Sequence, residues 1–192
     1  MQTKAVSKQL NIPENVEYRI FDKDGNPKPI FHENRLFRFL MKHGLLSPHA
    51  PKVPFLLGSW QLASVKPNLV TNAGKAGVAS RINGAGSEAA FTYIATGTGT
   101  TAAAAGDTTL QTEIASSGLS RVNATASRVT TSVTNDTAQL QTTFSVSGTK
   151  AVTESGILNA SSSGVLLARQ VFSAINVANG DSLQITWKVQ AS

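Results

Sequence analysis

Residues 71–192 contain no proline, and within them short apolar and β-branched runs alternate with polar residues. In the last of these runs Leu183, Ile185, Trp187 and Val189 fall on one side of an extended chain, and Gln184, Thr186 and Lys188 on the other. Leu140, Thr142, Phe144 and Val146 repeat the pattern against Gln141, Thr143 and Ser145. A period of two is the signature of a half-buried strand and is incompatible with a helix. Further strands are expected at 91–95, 121–133, 152–158 and 165–172, separated by turn formers such as Asn135-Asp136, Ser147-Gly148 and Asn179-Gly180-Asp181. Strands at this spacing predict a mainly β fold, an antiparallel β-sandwich or jelly roll over residues 71–192. Phe144, Phe172 and Trp187 are its expected core anchors. Two short helices are expected beside the strands, at 71–82 and 107–114, with Thr71 and Asp107 as N-caps.

The first 70 residues read differently. They hold all seven prolines, all three histidines and ten of the 17 Lys and Arg, against five Asp and Glu, so most of the net charge of +6 lies there. This shift places a domain boundary near residue 70 and makes residues 1–70 an N-terminal arm. A hairpin is expected from 17–21 and 28–31 around Lys23-Asp24-Gly25-Asn26. A helix over 33–43 would put Leu36, Phe37, Leu40 and Met41 on one face and end at Gly44. The proline-punctuated stretch 47–60 is expected to be extended. Such an arm buries too little to fold alone, so its expected role is docking, with Arg35, Phe37, Arg38, Phe39 and Lys42 as contact residues. Deleting residues 1–67 is then expected to leave a folded β domain that no longer docks.

Motifs with chemical potential dissolve on inspection. Gly97-Thr98-Gly99-Thr100-Thr101-Ala102 resembles a dinucleotide fingerprint, but a long helix, a parallel βαβ unit and a following acid are missing, and a loop is expected. Asp22, Asp24, Asn26 and Glu33 fit a calcium-loop spacing, yet Pro27 stands where the sharp turn needs glycine. His32, His43 and His49 lack metal-pair spacing, cysteine is absent, and no nucleophile elbow occurs, so no catalytic residue, metal or cofactor is expected. The acids of the β region, Glu88, Asp107, Glu113, Asp136, Glu154 and Asp181, show no pairing that spacing reveals. Nucleic acid is not the expected partner of the basic arm, because its cations are spread out and few aromatics interleave with them, and an acidic protein surface explains the charge equally well. Neither a secretory signal nor an apolar run of about 20 residues is apparent, so a soluble protein without membrane contact is expected.

Residues 68–82, the Phe91-Thr-Tyr-Ile-Ala-Thr-Gly-Thr-Gly-Thr100 segment, the Gly106-Asp-Thr-Thr-Leu-Gln-Thr-Glu-Ile114 segment, and the closing stretches 152–159, 167–173 and 177–187 together resemble structural proteins of tailed bacteriophages. The resemblance covers about residues 68–190. It implies a β-sandwich virion component and not an enzyme, assembled in the host cytoplasm, whose partners are capsid, neck or tail subunits. A head decoration protein docking by its arm is the first reading. The alternatives are a neck, collar or tail adaptor, and a carbohydrate- or receptor-binding module. The few charges of the β region favour a homo-oligomer, a closed ring or trimer.

Overall fold

Extended segments with alternate apolar side chains can bury them only by pairing edge to edge and stacking face to face. The protein does this in a computed structural model that describes residues 14–46, 52–67 and 69–191. The first sheet is built from β1 (Glu14–Phe21), β2 (Pro27–Lys28), β5 (Ser64–Pro67), β9 (Thr125–Val129), β10 (Thr137–Ser145) and β13 (Ser182–Gln190), in the order β2-β1-β13-β10-β9 with β5 also on β1. The second contains β6 (Leu69–Val70), β7 (Tyr93–Gly97), β8 (Val122–Asn123), β11 (Lys150–Leu158) and β12 (Leu166–Val177), in the order β6-β12-β11-β7-β8. Neighbours in both sheets run antiparallel. A separate ribbon pairs β3 (Ile30–Glu33) with β4 (Gly58–Gln61), and helices α1 (Arg35–Lys42) and α2 (Asn72–Asn83) complete the fold.

One core fills the space between the sheets. Val16, Tyr18, Ile20, Leu140, Phe144, Leu183, Ile185 and Trp187 from the first sheet meet Ile94, Val152, Ile157, Phe172 and Ile175 from the second. The second sheet is also covered on its outer face, where Leu110 packs on Ala95, Leu158 and Leu166. Burial on both faces explains why β11 is buried at every residue from Val152 to Leu158. Short strands link the two sheets at their edges. β5 pairs in one sheet and β6, one residue later in sequence, pairs in the other; β8 and β9 change sheets in the same way across buried Ala124.

Several expectations change. The compositional boundary near residue 70 is not a packing boundary, because β1 pairs with β13 over its whole length, from Glu14↔Val189 to Phe21↔Ser182. Its Val16, Tyr18 and Ile20 continue the period-two alternation into the central core, so deleting residues 1–67 would remove an interior strand. The hairpin forms between β1 and β2, where Asp22 accepts backbone N–H groups from Asp24 and Asn26. Its return strand then breaks at Pro29, and β3 leaves to pair with β4. No helix occupies 107–114. Thr98 N–H donates to Thr112 C=O and Ile114 N–H to Thr96 C=O, so this segment lies extended against β7. That pairing displaces the local bonds a helix would need. Part of the stretch 47–60 falls outside the described residues; the rest forms a turn at Pro54–Gly58 and then β4. The two remaining helices match expectation, with Asn34 capping α1 through Phe37 N–H and Thr71 capping α2 through Gly74 N–H.

Candidate docking surface

The ribbon β3–β4 and helix α1 form an appendage with its own small core. Phe31, Phe37 and Leu57 are buried there, with Leu40, Met41 and Leu46 against them. Phe37, expected as a docking residue, is therefore a core residue: its ring meets Phe31 edge-on at 6.2 Å. Asn34 joins the pieces, since its side-chain amide donates to Leu56 C=O at 2.8 Å and its backbone N–H to Leu57 C=O at 3.0 Å. Arg35, Arg38, Phe39 and Lys42 are exposed, and Arg35, Phe39 and Lys42 recur at i, i+4 and i+7, one stripe of the helix.

The appendage exposes much more apolar surface than the sandwich does. Of twelve large exposed hydrophobic side chains among the described residues, nine lie between Leu36 and Val65. They include Phe39 at 54% exposure, Trp60 at 47% and Phe55 at 100%. Phe55 has a φ of +65°, with Leu56 N–H donating to Pro54 C=O, so a tight, strained turn carries an aromatic ring into solvent. Trp60 leans edge-on against Phe31, and the Lys52 ammonium lies 5.6 Å and 5.9 Å from the two ring centres. The cations of residues 33–66 are Arg35, Arg38, Lys42, Lys52 and Lys66, of which Arg38 and Lys66 line the cavity against the sandwich. The one acid between residues 33 and 66, Glu33, accepts a hydrogen bond from Ser173 on β12.

Where the appendage meets the sandwich, His32 borders a cavity of about 30 Å³ together with Arg38, Lys66, Phe172 and Ile175. Its Nε2 is buried without a hydrogen-bond partner among the described residues. Burial, and secondarily the Lys66 cation, push the imidazole below its ordinary pKa, against the pull of a hydrogen bond with the Ala63 backbone.

A second polar arrangement lies on the outer face of the other sheet. Glu154 is fully buried on β11 and accepts four hydrogen bonds: from Gly99 N–H (3.0 Å), Thr112 N–H (2.7 Å), Gln111 N–H (3.1 Å) and Arg169 Nε (2.7 Å). Arg169, on β12, also donates to Asp107 at 2.8 Å and to Thr101 C=O at 3.0 Å. Burial alone would raise the Asp107 carboxyl, but the Ala104 N–H and the Arg169 guanidinium outweigh it and hold its pKa below the usual range. The glycines of the Gly97-Thr98-Gly99 motif serve this clasp, because a Cβ at either position would collide with the Glu154 carboxylate. A shallow cavity of about 290 Å³ opens beside it, lined by Thr101, Asp107, Thr108, Thr109, Gln111 and Arg169. With both Glu154 oxygens saturated, the clasp binds loop to sheet.

Phe144, Phe172 and Trp187 are all buried; Phe172 stacks on Tyr18 with ring centres 4.1 Å apart, and Trp187 Nε1 donates to Ser155 Oγ at 3.2 Å. The clasp went unseen in the sequence, although Glu154 is the single acid of β11 and Arg169 the single charge of β12, and that isolation is the signal that could have marked them. Among the described residues no three potential metal ligands converge, and no helix is long and apolar enough to cross a membrane. Compared with family models, with curated proteins and with solved structures, the chain matches none.

Proposed function

We propose that the chain is a non-enzymatic structural protein of a tailed-bacteriophage virion, a head decoration protein whose appendage docks it onto a neighbouring subunit. One observation carries this reading. The segments behind the sequence resemblance are those that meet around the clasp. Gly99 belongs to the first segment, which Thr101 follows directly, Asp107, Gln111 and Thr112 to the second, Glu154 to β11 and Arg169 to β12. The α2 segment joins the same region, because Thr71 N–H donates to Leu167 C=O and Asn72 N–H to Ala105 C=O. These motifs thus converge on one clasp of loop to sheet, which supports reading them as parts of a structural domain. A structural role makes sense of buried, fully bonded charges better than catalysis does.

The sandwich spends its aromatic side chains internally, on Phe144, Phe172 and Trp187, with Phe91 and Tyr93 packed against its cores. This favours a structural protein over a glycan-binding module, which needs exposed aromatic platforms. A neck, collar or tail adaptor is the variant of the same reading, and closed symmetry, a ring or trimer, belongs to both. Electron microscopy of purified particles carrying a label on this protein tests the proposal. Regular labelling over the head is the expected result, labelling at the neck or tail selects the variant, and unlabelled particles overturn it.

A further inference from the structure

We propose that the appendage recognises an acidic protein surface, using Phe39, Phe55 and Trp60 as apolar anchors and Arg35, Lys42 and Lys52 as the cationic rim. On the virion reading, which this builds on, that partner is a neighbouring subunit. The anchors are residue types that dominate protein interfaces, and their surroundings are cationic with Glu33 already engaged. Steering toward an acidic partner follows from that imbalance.

A second copy of this chain is a poor occupant. Face-to-face pairing would set like charges against each other, and most acids among the described residues of the sandwich already have partners. Asp107 and Glu154 are bound to Arg169, Glu113 to Arg121 and Asp181 to Lys28, while Asp136 accepts the N–H groups of Thr131, Ser132 and Val133. A bilayer or a nucleic acid fits less well for a different reason. Trp60 is held against Phe31 under Lys52, the Phe55 backbone is set by a strained turn, and aliphatic Leu36, Leu56 and Leu62 stand exposed in the same unit. A fluid interface needs no such fixed shape, and bases stack on rings and not on leucines.

The test is selection of random twelve-residue peptides, displayed on a carrier, against the immobilised full chain. The expected outcome is enrichment of peptides that combine Asp or Glu with an aromatic residue or Leu. Synthetic copies should bind at least about tenfold more weakly to Phe39→Ser, and separately to Arg35→Glu with Lys42→Glu. The charge-reversed protein touches no core residue, so an unchanged melting temperature separates lost binding from lost folding. Enriched peptides without acidic excess, or binding indifferent to both variants, would overturn the proposal. So would concentration-dependent self-association, or binding to phosphatidylserine vesicles or single-stranded DNA, that both variants abolish. Particle labelling is read separately: peptide binding by a protein missing from particles leaves the docking surface standing and removes the virion reading. Particles that incorporate both variants normally, although the variants have lost the peptides, leave the virion reading standing and overturn the neighbouring subunit as the partner.

Discussion

Tyr18 shows how tightly the sandwich interior is committed. Its ring stacks on Phe172 in the middle of the core, yet its hydroxyl is buried with no partner among the described residues, and burial raises its pKa well above 10. Tyr18→Phe removes an unpaired polar group and keeps the ring, so it is expected to raise stability by about 1 kcal/mol, read as a higher urea midpoint at unchanged slope. The raised value also fixes a sign. The neutral phenol's contribution is complete below the ordinary tyrosine pKa and is lost as pH climbs through the folded value, and the phenylalanine variant should lack that alkaline loss. Glu154 behaves oppositely, as a buried group with every acceptor position used. Glu154→Gln leaves Arg169 with half its counter-charge and should cost about 3 kcal/mol or more in thermal or chemical unfolding. Phe55 is the residue where stability and function part. Phe55→Gly releases a left-handed backbone strain of about 1–2 kcal/mol and deletes an anchor, so the variant should melt no lower than the parent while binding acidic peptides more weakly.

The same contrast runs through the elements. The hairpin turn, both retained helices and most strands were legible because each is specified locally: Asn34 and Thr71 cap, Gly44 with φ +68° ends α1, and alternation marks β10 and β13. The 107–114 segment was not legible, because its fate is decided by Glu154 and β7, which are distant in sequence. Burial of Phe37 was equally hidden, since the four apolar residues of α1 share a pattern and only the ribbon chooses among them. The appendage is the element with least independent support, a two-stranded ribbon and eight-residue helix held to β12 by Glu33 and by the packing around His32. Protonating His32 places a cation facing Arg38 on α1 and Lys66 on β5, with Glu33 on its own strand as the nearby acid. Its folded pKa is depressed, so its contribution is present above the ordinary histidine value and is lost as pH falls below it. Amides of 30–33 and 58–61 should therefore exchange faster at pH 5.5 than at pH 7.5 after correction for intrinsic rates, while those of β11 and β13 do not. His32→Gln should remove the difference.

At the scale of the whole molecule, composition divides the chain near residue 70, and pairing divides it elsewhere. Proline and charge record which segments meet solvent or partners. They are blind to β1, whose Val16, Tyr18 and Ile20 alternate like any sandwich strand and pack opposite Leu183, Ile185 and Trp187. The separable piece is instead an insertion, the 24 residues from Asn34 to Leu57, because Glu33 and Gly58 lie directly across from each other in the β3–β4 ribbon. A two-residue Asn-Gly turn spans that gap in ordinary hairpin geometry. Replacing residues 34–57 with Asn-Gly should leave a protein with near-parental β content and a cooperative transition, since neither sheet loses a strand. It should no longer bind acidic peptides or take its place on particles. Removing residues 1–67 should instead abolish cooperative unfolding, because β13 then loses the partner on one side along eight paired positions and opens the core to water. Circular dichroism and calorimetry on the two deletions distinguish them. A cooperative fold after the terminal deletion would restore the boundary that composition suggests, and an unfolded excision variant would mean that the appendage supports the sandwich as well as extending it.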